Sequence, residues 1–179
     1  MIEKLVSNKR IIFFDGDGTL WYPKKTKWTI KPHLIYTHLN MKPGDYLKHL
    51  VLTPQILKTI KSLKKRRILL IVLSTHPHKR LEADMHLNNK IKHFGLDEIF
   101  DHIYSARPFP WGKGKVMESV LRKLRMPKSQ TLLVGDSYIY DYLSARKVGI
   151  DCILLKTPYL QIPKGRKVPH MVKKWKELI

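Results

Sequence analysis

Residues 10–21 read R-I-I-F-F-D-G-D-G-T-L-W. Four apolar residues, Ile11, Ile12, Phe13 and Phe14, run straight into Asp15. A short apolar run that stops at a turn signal predicts a buried strand. Gly16 and Gly18 then allow the backbone to turn sharply and to approach a ligand closely. Asp15 and Asp17 are left together at the mouth of that strand, where like charges repel and desolvate each other. A bound cation removes the penalty, and so does chemistry that uses one acid charged and the other protonated. Asp and Gly also build ordinary turns, so the remainder of the chain has to supply matching parts. An EF-hand calcium loop is excluded: counted from Asp15, its twelfth position is Thr26, where that loop needs Glu.

The 179 residues suit one well-packed domain spanning 1–179, and 43% hydrophobic content is ordinary for a globular protein. The apolar run at 68–73 is too short to cross a bilayer, and the N-terminus has no apolar stretch of signal-peptide length. The expectation is a cytoplasmic protein that does not engage membranes. The one cysteine, Cys152, leaves no internal disulfide and sits in an apolar stretch, as a core residue does. The formal charge of +21, from 35 Lys and Arg against 14 Asp and Glu, draws in anions without choosing among phosphorylated small molecules, nucleic acid and anionic membrane. The basic residues are dispersed along the chain, which equally describes a solvated lysine-rich surface.

Residues 22–53 hold three prolines, a run of lysines and the aromatics Trp28, Tyr36 and Tyr46. Irregular stretches of this length in a compact domain are often functional. They are expected to form a short flap beside the first strand, in place of a full cap domain. Thr53-Pro54 predicts a helix N-cap with proline at the first helical position. The cations at 64–67 suit that helix's C-terminus. Residues 68–73 predict a second buried strand ending in Ser74-Thr75, hydroxyls that can bind an anion or cap the next helix, expected from His78 to about Phe94. His76 and His78 form an H-x-H pair, a weak metal signal. A third strand is expected at 99–105. Lys113 and Lys115 then open a helix, electrostatically the wrong end for a cation, which suggests an anionic neighbour. Residues 131–134 predict a fourth strand ending in Gly135-Asp136-Ser137, followed by a helix carrying Asp141. A fifth strand is expected at 151–155. The basic segment 156–179 is expected to pack on the domain through a terminal amphipathic helix carrying Met171, Val172, Trp175 and Leu178.

Strands alternating with helices predict a three-layer α/β, Rossmann-like domain with a mainly parallel five-stranded sheet. Functional side chains in such folds gather at the carboxyl ends of the strands, where strand order reverses. If the first and fourth strands are neighbours there, Asp15, Asp17, Asp136 and Asp141 converge. Oxygen ligands without Cys or His suit Mg2+.

Four motifs in order make the chain resemble the haloacid dehalogenase-like (HAD) superfamily, over roughly residues 10–155. They are Asp15-Gly16-Asp17-Gly18-Thr19 after the apolar run, the strand ending in Ser74, a lysine at a helix start (Lys113 in preference to Lys115), and Gly135-Asp136 with Asp141. The D-G-D-G-T-L-W start and short excursion most resemble the cap-less magnesium-dependent phosphatase branch. The resemblance implies a Mg2+-dependent phosphomonoesterase. Asp15 would be the nucleophile that forms an aspartyl-phosphate, and Asp17 the general acid and then base. Asp15, Asp136, the Asp17 backbone carbonyl and Asp141 would support the metal. Ser74, Thr75, the lysine and backbone amides near Gly16 would hold the phosphoryl oxygens. Asp17 argues against a dehalogenase.

Two other readings accompany this one. A site without a cap admits large substrates, including phosphoproteins or nucleic-acid 3′ ends, and with +21 charge and Trp21, Tyr22 and Trp28 available to stack bases, a polynucleotide 3′-phosphatase is an alternative. A non-catalytic, basic nucleic-acid-binding protein on the same fold is the other, weakened by the presence of every acid that such a protein would lose. Oligomeric state is not legible.

Overall fold

The computed structural model describes residues 2–24, 26, 45–76, 79–109 and 111–179. The chain begins with helix α1 (Ile2–Ser7) and runs into strand β1 (Ile11–Phe14), all four residues of which are buried. Strands β2 (Trp21–Pro23) and β3 (Leu50–Leu52) pair antiparallel as a separate two-stranded ribbon, with Trp21 opposite Leu52. This ribbon is the base of the excursion expected at 22–53. The rest of that excursion, Trp28 and Tyr36 included, lies outside the described residues, as does His78. Next come α2 (Ile56–Lys65), β4 (Leu69–Thr75), α3 (Arg80–His93), β5 (His102–Ala106), α4 (Gly112–Leu124) and β6 (Thr131–Gly135). A π-helical turn (Tyr138–Leu143) leads into α5 (Ser144–Lys147), then β7 (Asp151–Leu155), β8 (Met171–Val172) and a closing 3-10 turn (Trp175–Leu178).

The main sheet has six strands in the order β5-β4-β1-β6-β7-β8, every neighbouring pair parallel. Its side chains alternate between faces, as the pleat requires. Ile12, Phe14 and Val72 face one cluster with Ile60 and Leu63 of α2 and Leu87 and Ile91 of α3. Ile11, Phe13 and Leu133 face the other, with Met117 and Leu121 of α4. The result is the expected three-layer α/β arrangement. Strand order reverses around β1, which has β4 on one side and β6 on the other, so the carboxyl ends of β1 and β6 flank the crevice.

Several expected elements differ. The sheet has six strands, not five: Met171 and Val172, read as part of a terminal helix, extend the open edge of β7, with Leu154 opposite Met171. Only Trp175–Leu178 turns helically, and Val172, Trp175 and Leu178 are buried. The third strand runs from His102 to Ala106, and α3 starts at Arg80. Thr53 does not cap α2, whose N-cap is Gln55 in the left-handed region at φ 68°. The Thr53 hydroxyl is engaged elsewhere: it donates to the Thr19 carbonyl at 2.9 Å and accepts from Trp175 Nε1 at 2.9 Å. It thereby ties the turn after β1 to the C-terminal segment. Cys152 is buried, and burial first, then Asp141, pushes its thiol up. Among the described residues no helix is long and apolar enough to cross a membrane.

Candidate active site

Asp15 leaves β1 with its backbone N–H bonded to the Val134 carbonyl of β6 at 2.9 Å, so the two strand ends are held in register. The turn after it is tight: the Leu20 N–H reaches the Gly16 carbonyl at 2.8 Å. Gly18 sits at φ +86°, and a Cβ there would lie 2.2 Å from Asp136 Oδ2, so only glycine fits. At Gly16 a Cβ would lie 2.7 Å from the Trp21 ring and 3.0 Å from Ser74 Oγ, which brings the end of β4 against the same turn.

Asp15, Asp136 and Asp141 present ligand atoms all within 4.8 Å of one another, and all three are buried. Lys113, fully buried at the start of α4, places Nζ 2.5 Å from both Asp15 Oδ1 and Asp141 Oδ1. Asp141 Oδ2 accepts the backbone N–H groups of Asp136 at 3.1 Å and Ser137 at 2.9 Å, an arrangement that the π-helical turn makes by folding Asp141 back on its own strand end. Asp136 Oδ2 accepts from Thr157 Oγ1 at 3.2 Å.

Burial pushes the Asp15 carboxyl up to about 6; Lys113 opposes that shift, and Asp141 and Asp17 reinforce it. Burial alone would lower the Lys113 ammonium, but Asp141 and Asp15 outweigh it, so Lys113 is held charged above its usual range. The two directions agree physically: one ammonium shared by two buried carboxylates is doubly stabilised, while each acid receives only part of its charge. Three buried acids with one lysine leave a local excess of negative charge. That oxygen-only donor set fits a hard divalent cation.

Of the residues singled out from sequence, Asp15, Lys113, Asp136 and Asp141 converge, and Ser74 is buried beside Gly16. Thr75 ends β4 opposite Ala106 and is half-buried. Lys115 is exposed and lines a separate cavity of about 370 Å³ with Arg80, Arg107 and Lys123. Asp17 stands apart from the three-acid group: its Oδ1 accepts from Trp21 Nε1 at 2.6 Å and Lys90 Nζ at 2.7 Å. His76 is buried and stacks on His86 with ring centroids 5.4 Å apart. Sequence reasoning missed Lys90 and Thr157. Lys90 had a signal, because Leu87, Lys90 and Ile91 share one helical face and two of them are apolar.

Residues 11–155 match the family model described as haloacid dehalogenase-like hydrolase. Among curated proteins no sequence matches this chain. Solved structures of similar fold include a predicted phosphoglycolate phosphatase from Haemophilus somnus, at 17% identity and TM-score 0.71 over 96% of each chain. A haloacid dehalogenase-like family hydrolase from Streptococcus pneumoniae matches at 17% identity and TM-score 0.70, covering 96% of this chain and 97% of that one. CbbY from Rhodobacter sphaeroides, crystallised as a mutant with xylulose-1,5-bisphosphate, matches at 17% identity and TM-score 0.65, covering 95% and 96%.

Proposed function

The chain belongs to the haloacid dehalogenase-like hydrolase family, and we propose that within it this protein is a Mg2+-dependent phosphatase of small phosphomonoesters, with Asp15 as nucleophile. One observation carries the reading: a buried carboxylate at the switch-point end of β1 stands against a buried lysine and two further acids, with a second acid, Asp17, two residues on. A predicted phosphoglycolate phosphatase and a bisphosphate complex among its structural neighbours support a phosphorylated small molecule as substrate.

In this reading an Asp15 carboxylate oxygen attacks phosphorus, forming an O–P bond as the bond to the leaving oxygen breaks. Asp17 delivers a proton to that oxygen. It then takes a proton from the water whose oxygen attacks the aspartyl-phosphate, releasing inorganic phosphate and regenerating Asp15. Lys113 and Ser74 hold phosphoryl oxygens, and Lys113 also limits repulsion between the acids and the incoming anion. Asp15, Asp136, Asp141 and the Asp17 carbonyl would hold Mg2+, which when bound supplies charge neutralisation at the phosphoryl group.

Hydrolysis of p-nitrophenyl phosphate tests the proposal. Release that requires Mg2+, stops with EDTA and is lost in Asp15→Asn is expected. Undiminished release by Asp15→Asn would overturn it. A panel of sugar phosphates, phosphopeptides and 3′-phosphorylated oligonucleotides then identifies the leaving group. Preference for the oligonucleotides would transfer the reading to a polynucleotide 3′-phosphatase, which the +21 charge favours.

A further inference from the structure

Lys90 is 2% exposed, whereas most of the other described basic residues are at the surface. An ammonium is not buried without a partner, because its desolvation is costly. Its partner is Asp17, 73 positions earlier in sequence, at 2.7 Å. The ammonium also lies 5.8 Å from the centre of the Trp21 ring and 6.0 Å from that of Tyr46, within cation–π range of both. Trp21, fully buried, donates its Nε1–H to the same oxygen of Asp17 at 2.6 Å. Phe94 stacks on that indole with centroids 5.9 Å apart, and the absence of a side chain at Gly16 lets the ring lie against the turn.

Two rigidly held donors on one carboxylate oxygen fix the torsion of the carboxylate, which an exposed aspartate would leave free. Lys90 and the buried Lys113 share no partner: Lys113 serves Asp15 and Asp141, and Lys90 serves Asp17.

We propose that Lys90 and Trp21 are positioning residues that hold the Asp17 carboxyl, through its Oδ1, in the orientation from which it acts on the leaving group. The inference rests on the phosphatase reading and on Asp17 as its acid. It places a functional lysine on α3, outside all four sequence motifs. The chemistry is unchanged: as the P–O bond breaks, the electron pair goes to the leaving oxygen, and the Asp17 proton follows it.

A leaving group that departs readily as an anion needs little protonation, whereas an alkoxide needs it in full. Lys90→Met and Trp21→Phe are therefore compared with wild type on p-nitrophenyl phosphate and on glycerol phosphate, with thermal melts to establish folding. General acid catalysis contributes roughly 10²–10⁴-fold. On that scale, kcat/KM is expected to fall at least about 10-fold further for glycerol phosphate than for p-nitrophenyl phosphate in either variant. A residue that merely fills space would lower both rates by the same factor, and that result overturns the proposal. Trp21→Phe keeps the ring and loses only the N–H, so it decides the matter if Lys90→Met does not fold. A wild type inactive on both esters would overturn the phosphatase reading itself, and this inference with it.

Discussion

Lys113 and Lys90 are both buried ammonium groups against site aspartates, yet their surroundings differ. Lys113 is divided between two carboxylates that lie within a three-acid group. Lys90 meets one carboxylate, and aromatic rings form its walls. The first environment balances charge and the second fixes direction. Removing each cation should therefore fail differently. Lys113→Met leaves Asp15 and Asp141 buried without their shared cation, and breaking such a network costs about 3–5 kcal/mol. Denaturant melts in EDTA should show a loss of that size. Lys90→Met removes the ammonium from Asp17, whose side chain is only 11% exposed and still accepts from Trp21 Nε1, and is expected to cost less, about 1–3 kcal/mol. Equal losses would remove the distinction.

A pH series sharpens the same contrast. The Asp15 carboxyl is raised from 3.8 to about 6 by burial. An acid whose folded value lies above its unfolded one favours the fold below the unfolded value and loses that contribution as pH rises through the folded one. Between pH 4 and 7 the shift corresponds to about 3 kcal/mol. In EDTA, the stability of Asp15→Asn relative to wild type should rise by about that amount over this window. Added Mg2+ should restore the wild type at pH 7. The smallest effect is expected at Lys115, which is exposed and outside the acid group. Lys115→Ala should change stability by no more than about 0.5 kcal/mol and leave the rate on p-nitrophenyl phosphate nearly unchanged.

What could be read from the chain follows the same division. Asp15, Asp136 and Ser74 each end a buried strand, so local apolar runs locate them, and parallel topology then brings them together. Lys113 followed from a cation at an unfavourable helix end. Lys90 shares a largely apolar helical face with Leu87 and Ile91, a signal for burial, but its function was not legible because its partner is remote in sequence. Thr53 and Trp175 misled for a related reason. Their local patterns predict a cap and a terminal helix, but a hydrogen bond spanning 122 positions uses both differently. The strand β8 forms because β7 has an open edge, a property of the assembled sheet and of no local segment.

The central claim is that Asp15 carries the phosphoryl group. Its most direct test uses Asp17→Asn, which is expected to allow at most slow phosphorylation and slower release still. Acid-quenched protein, treated with p-nitrophenyl phosphate and Mg2+, is measured by intact mass and peptide mapping. The account predicts one added phosphoryl group per chain, mapped to Asp15 and missing when Asp15→Asn is combined with it. A phosphoryl group on another residue, or turnover by the Asp15→Asn protein, would contradict it.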